Sequence, residues 1–136
     1  MTDLTETAAA APVAWAATRH HQALGDYGER LAERHLTGLG MRLLDRNWRC
    51  RDGEADLVLR DGDVLVVCEV KTRTSLDYGS PQEAVTDEKL ERLGRIGQAW
   101  VTAHHVRPSG VRIDLVAVLR PLKGPSTIEH VRGLSR

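Results

Sequence analysis

The stretch that decides the fold is GEADLVLRDGDVLVVCEVK, residues 53–71. Two runs rich in valine and leucine flank Asp61-Gly62, and Asp-Gly between alternating apolar runs is a strong hairpin signal. A two-residue loop at Asp61-Gly62 pairs Arg60 with Asp63, Asp56 with Val67, and Glu54 with Glu69. Directly paired residues share a sheet face, and a strand alternates faces with period two. Asp56, Glu69 and Lys71 are therefore expected on one face, with Asp56 and Glu69 diagonal neighbours and Glu54 facing Glu69. A four-residue loop from Arg60 to Asp63 keeps this register, whereas a three-residue loop would flip it.

Such crowding of acids is costly. Two carboxylates about 5 Å apart repel by roughly 3 kcal/mol at an effective dielectric of 20. A divalent cation or a shared proton would neutralise them, and hard cations such as magnesium prefer carboxylate oxygens. The other reading of the same residues is a solvated polar hairpin face with Lys71 pairing the acids. The chain has sixteen arginines and three lysines, Lys71, Lys89 and Lys123. A lysine in an arginine-rich chain suggests that a compact ammonium is wanted at position 71, a group suited to positioning water or meeting charge in a transition state.

Outward from the hairpin, Met41–Cys50 reads as a preceding strand. His21 to about Leu39 reads as a helix with Leu24, Leu31, Leu36 and Leu39 near one stripe, ended by Gly38 and Gly40. After the hairpin, 72–79 is a polar loop. Ser80-Pro81-Gln82-Glu83 fits a capping box with proline at the first helical position, and Thr86 is a second possible cap. The helix runs to about His104 with Leu90, Leu93, Ile96, Gly97, Trp100 and Val101 as its apolar face. Val111–Leu119 predicts a fourth strand and Thr127–Val131 a short edge strand. The order α-β-β-β-α-β(-β) gives an α/β fold, a mixed sheet flanked by helices. Asp114 interrupts an apolar strand and is expected to pair with Arg112 or Arg120.

At 136 residues the chain is read as one domain, 21–136, behind a disordered tail, 1–20, rich in alanine and threonine. Asp3 and Glu6 stand where a secretory signal would carry positive charge, and no run of 18 apolar residues exists to cross a membrane. Cys50 and Cys68 lack metal-ligand spacing. Cys68, opposite in face to Glu69, reads as a small core hydrophobe, and both thiols suit a reducing cytoplasm. His20-His21 and His104-His105 do not have zinc spacing. Gly-rich phosphate loops and a Ser or Cys nucleophile in a recognisable turn are missing. The net charge of zero argues against indiscriminate coating of nucleic acid. Basic residues nevertheless flank the hairpin: Arg46, Arg49 and Arg51 before it, Arg73 after it, and Arg92 and Arg95 on the second helix. Beyond His105 six basic residues face only Asp114 and Glu129.

Residues 53–93, from Gly53-Glu54-Ala55-Asp56 through Glu69-Val70-Lys71 to Leu93, resemble the core of the YraN family of small bacterial proteins. The similarity extends from about Gly25 to Leu119. That family resembles restriction endonucleases and archaeal Holliday junction resolvases in fold. The resemblance implies a metal site of Asp56 and Glu69, with the Val70 carbonyl beside them and Lys71 as the catalytic cation. Glu29, from the first helix, matches a further glutamate of the resolvase-like proteins. Ala55 stands where a proline often precedes the aspartate. Gln82 and Lys89 match helix positions that face the site in related nucleases. For Lys89 a surface ion pair with Glu83, Glu88 or Glu91 is the other reading. The resemblance implies a magnesium- or manganese-dependent phosphodiesterase acting on branched or non-duplex DNA. Glu54, expected to face Glu69, is a secondary site residue, and Arg49, Arg51 and Arg73 of the basic surface are expected toward nucleic acid. The alternative is a nuclease fold used without catalysis to bind nucleic acid or recruit a partner. A homodimer through the second helix is compatible with both.

Overall fold

The computed structural model describes residues 11–75 and 85–135, with side chains from residue 22 onward. The elements are α1 (Ala11–Gly38), β1 (Arg42–Cys50), β2 (Gly53–Asp61), β3 (Val64–Arg73), α2 (Asp87–His104), β4 (Gly110–Leu119) and β5 (Thr127–Val131). α1 begins ahead of the expected His21. Its first two turns are mostly alanine, the strongest helix former, with Pro12 in the first turn where a missing N–H is tolerated. The proposed capping box at Ser80-Pro81-Gln82-Glu83 lies outside the described residues. Thr86 caps α2, its Oγ1 accepting from the Lys89 amide at 3.1 Å.

The five strands form one sheet in the order β1-β2-β3-β4-β5. β1, β2 and β3 make an antiparallel meander, β3 and β4 pair in parallel across α2, and β5 returns antiparallel to β4. One helix covers each face. α1 packs Ala32 and Leu36 against Leu57, Leu59, Val66 and Cys68. On the other side α2 sets Leu93, Ile96 and Trp100 against Val58, Val67 and Ile113. Cys68 is fully buried, as its alternation with Glu69 predicts. Because the apolar side of α2 goes into the sheet, two copies pairing through α2 would have to use its polar side.

The hairpin corrects the expected register. Asp61 pairs with Val64 and Arg60 with Leu65, so the two loop residues are Gly62-Asp63 rather than Asp61-Gly62. The reason is backbone conformation. An Asp-Gly loop of type I′ needs positive φ at both residues, whereas a glycine at the first loop position alone suits type II′. Only Gly62, at φ +62°, adopts the left-handed region. The shift is two residues, and the paired ladder ends at Leu57↔Cys68, one residue short of Asp56 and Glu69.

Two irregularities shape the sheet. Leu44 is an extra residue in β1, between Leu43↔Leu59 and Asp45↔Val58. Further along, Asn47 takes a left-handed φ of +48°. There Asp45 and Trp48 both meet the α2 side although they are three residues apart, and opposite them Val58 and Ala55 do the same. Both strands therefore break alternation at the level of Asn47 and Asp56, and the regular β2–β3 ladder stops at Leu57↔Cys68.

At the hairpin end of the sheet, fully buried Asp114 on β4 takes two bonds from Arg112, at 2.9 and 3.1 Å. It also meets His130 Nε2 at 2.9 Å and accepts from the Gly133 amide at 3.0 Å. Of the two expected partners the strand neighbour Arg112 is the one used, and it reaches on to Asp61 at 2.9 Å. Arg120 instead lies over the Tyr27 ring, 4.2 Å from its centroid. These bonds fasten the C-terminal segment to the body of the sheet.

Candidate functional site

The acids and lysines singled out in the sequence converge where β3 runs out toward its C-terminal end. Glu69 is the centre. It is only 8% exposed, and a carboxylate removed from water to that extent needs partners. Lys89 of α2 supplies one at 2.6 Å and Lys71 of β3 the other at 3.3 Å, both on Oε2. The partner of Lys89 is thus Glu69, not a glutamate of its own helix. The Thr86 cap orients the turn that carries it.

Asp56 sits where the β2–β3 ladder has stopped. Its Oδ2 accepts the Val70 amide at 2.8 Å, in place of a strand carbonyl. Burial, then the Glu69 charge, pushes its pKa up to about 7, with Glu29 and Glu54 adding to the rise and the Val70 amide opposing it. Burial and like charge both disfavour the ionised carboxylate, so Asp56 and Glu69 act on one another as a pair.

Glu29 reaches the same region from α1. The helix comes close to β3 because residue 28 is glycine: a β-carbon there would overlap the Thr72 side chain. Burial raises the Glu29 pKa, and Asp26, Glu54 and Glu69 raise it further, against a lowering hydrogen bond from Asn47. That bond, Asn47 Nδ2 to Glu29 Oε1 at 3.1 Å, belongs to the residue with the left-handed backbone. Asn47 escaped the sequence reading. Its only signal was an asparagine, a residue tolerant of the left-handed region, inside a strand-like run.

The two lysines differ. Burial depresses Lys71, and the neighbouring Lys89 ammonium adds to the effect against the pull of Glu69. Burial is the largest influence on Lys89 and acts to depress it, but the bonds with Glu69 and Lys71 and the Glu69 charge together leave it raised. Lys89 is therefore the firm counterion of Glu69, and Lys71 is the more weakly held ammonium. The Cys68 thiol on the opposite face is pushed well up, chiefly by burial, and stays protonated.

Around this centre, Glu54 makes a loose pair with Arg49 at 3.7 Å. Arg51 is exposed in the turn between β1 and β2. Arg92 comes close to Gly53, and Arg95 bonds Asp52 at 3.2 Å. Arg73 is half-buried at the end of β3, where its carbonyl accepts the Arg120 amide at 2.8 Å. Gln82 lies outside the described residues. Among the described residues no three His, Cys, Asp or Glu side chains stand grouped as a ready metal-ligand set.

Comparison with known proteins is consistent over most of the chain. The uncharacterised protein family UPF0102, of which YraN is a name, matches residues 28–118. A UPF0102 protein of Nocardioides sp. is 62% identical over 119 residues, covering 88% of this chain and 96% of that protein. UPF0102 proteins of Kineococcus radiotolerans and Streptomyces coelicolor are 58% and 56% identical, over 86% and 83% of this chain and 97% and 88% of their own lengths.

Proposed function

The chain belongs to the UPF0102 family, and we propose that it is a divalent-metal-dependent nuclease hydrolysing phosphodiester bonds in branched or otherwise non-duplex DNA. One observation carries the reading. A buried Glu69 held by two lysines stands beside an Asp56 whose pKa is raised to about 7 by burial and by Glu69. A mixed sheet with a helix on each face is compatible with the restriction-endonuclease-like frame that the sequence resembles. The net charge of zero favours selection of a DNA structure over general coating of duplex.

The donor chemistry fits magnesium or manganese. Magnesium keeps several of its waters and needs only one or two carboxylates, so the two of Asp56 and Glu69 are enough for it. Asp56 and Glu69 would hold the ion, with the Val70 carbonyl as a further oxygen. When bound, such an ion lowers the pKa of a water and polarises a phosphoryl oxygen. Lys71 then meets charge developing at phosphorus, while Lys89 keeps Glu69 in place. Glu29, fixed by Asn47, orients the water. Arg49, Arg51 and Arg73 would attract the phosphodiester backbone.

The test is cleavage of labelled four-way junctions, flaps and single strands with magnesium or manganese. Wild type is expected to cut at least one of them, and Asp56→Asn and Glu69→Gln to cut none. The second reading, a non-catalytic binder of nucleic acid, is favoured by the fact that Lys71 and Lys89 already neutralise Glu69. Junction binding by wild type without cleavage of any substrate under either metal would select it.

A further inference from the structure

Six residues back along β3 from Lys71, roughly 20 Å away, Leu65 lies in the wall of a cleft of about 310 Å³. We infer that this cleft is a docking site for an acidic peptide segment carrying one bulky apolar side chain. Its walls are Leu44, Leu65, Trp100, Val106 and Pro108, and Arg60 and Arg107 stand beside them with a single acid, Asp63. The volume lies at the lower end of the range for ligand-binding clefts.

Several features of the chain make this cleft and its charge. Leu44 is there because β1 carries an extra residue at that point, and a bulge re-aims a side chain. Leu44 and Val106 remain 38% and 41% exposed, so the cleft leaves large aliphatic surface in water. The walls are fixed in advance: Ser109 donates its amide at 2.9 Å and its hydroxyl at 3.3 Å to the Asp63 carbonyl, tying the α2–β4 connection to the hairpin turn. Arg60 is pinned by its Nε–H to the Gly62 carbonyl at 2.7 Å. Directly across the strands from Arg60 is Arg42. Like charges placed opposite one another destabilise a sheet, and an anion between them would reverse that cost.

The chemistry favours a peptide over nucleic acid. Platforms for single strands present aromatic faces on which bases stack. Trp100 is only 5% exposed, and its indole N–H is committed to Asp45 at 3.1 Å. What the cleft offers is an aliphatic hole for one side chain, bordered by guanidinium groups whose planar forks match carboxylates.

The experiment is fluorescence anisotropy on the full chain with a labelled peptide, a run of aspartates ending in phenylalanine. Controls replace the aspartates by serine or the phenylalanine by glycine, and a labelled oligothymidine is titrated in parallel. Each peptide control is expected to bind at least about tenfold more weakly, as are the exposed-site variants Val106→Glu and Arg107→Glu at unchanged melting temperature. Equal binding of the three peptides would overturn the proposal, and so would a peptide affinity unmoved by both variants. Oligothymidine binding that is lost in these variants, with no binding of the aspartate peptide, would overturn it in favour of nucleic acid.

Discussion

Asp56 and Asp114 both lie on core strands, yet their protons bind with opposite consequences. The Asp56 pKa is raised from 3.8 to about 7 by burial and by Glu69. The folded state therefore keeps a proton that the unfolded chain has lost, and the stability this adds is full below about pH 4 and gone once pH has risen through 7. Without metal, wild type is expected to lose on the order of 2–3 kcal/mol between about pH 5 and pH 8 that Asp56→Asn does not lose. Thermal melts of both proteins across that window check this, and parallel slopes would remove Asp56 from the cluster. At about pH 8 magnesium should raise the melting temperature of wild type and leave Asp56→Asn nearly unmoved. For Asp114 burial works to raise the pKa, but the bonds from Arg112, His130 and the Gly133 amide outweigh it and leave it lowered. Its contribution is present above pH 3.8 and lost on further acidification. Lys71 tests function at the same scale. Lys71→Arg keeps the charge that attracts DNA, so junction affinity is expected to stay within about threefold. A guanidinium is planar and larger, and a misplacement of about 1 Å can cost roughly a hundredfold in rate, so cleavage should collapse. Undiminished cleavage by Lys71→Arg would strip the lysine of its role. Glu69 and Lys71 could be placed on one face from the alternation of β3, and the Asp-Gly turn brought Asp56 into their neighbourhood although the register read from it was two residues off. Asn47 was not legible, because its left-handed backbone arises where β1 and β2 break step together, a property of the pair rather than of either strand.

At the scale of elements, the approach of α1 to β3 turns on Gly28. A β-carbon there meets Thr72 Oγ1 and Cβ, atoms with little side-chain freedom to move aside. Overpacking of this kind costs about 1–3 kcal/mol, against about 1 kcal/mol gained from better helix propensity. Gly28→Ala should therefore be destabilised by up to about 2 kcal/mol, and Thr72→Ala in the same chain should recover part of the loss. Urea denaturation of the two single variants and the double variant measures the coupling, and strict additivity would show that the close approach is not what the glycine serves. Thr86→Ala removes the α2 cap at a cost of about 1 kcal/mol, and it loosens the turn from which Lys89 reaches Glu69. Every strand and the end of α2 could be read from alternation, helical period and caps. The hairpin register could not, because Asp-Gly identifies a turn while the choice between two positive-φ positions and one decides which residues close it. The early start of α1 was missed for a related reason: an alanine-rich run without an apolar stripe gives no periodicity to read.

For the whole molecule, a buried carboxylate, Asp114, is a main anchor of the C-terminal segment, beside the Leu134 amide bond to the Ile113 carbonyl and the Arg132–Asp61 pair. Asp114→Ala would strip His130 Nε2 and the Gly133 amide of their buried acceptor and leave Arg112 with Asp61 alone, so the loss should stay at or below the roughly 3–5 kcal/mol of a fully broken buried pair. The same change should free residues 132–135, where Gly133 and Leu134 are fixed through the Asp114 carboxylate and the Ile113 carbonyl. Faster hydrogen exchange at Gly133 and Leu134, with exchange in β2 unchanged, is the expected pattern. The parallel pairing of β3 with β4 bears on how the chain is made. β3 is the central strand, buried from Leu65 to Glu69, and its second neighbour is β4, which begins only at Gly110. During synthesis the β1–β2–β3 meander therefore exists for a time with its most apolar strand as an open edge, a template for pairing with another chain. A nascent chain arrested with β4 still inside the ribosome should be digested rapidly by protease and held by chaperones. One released past Val131 should resist digestion.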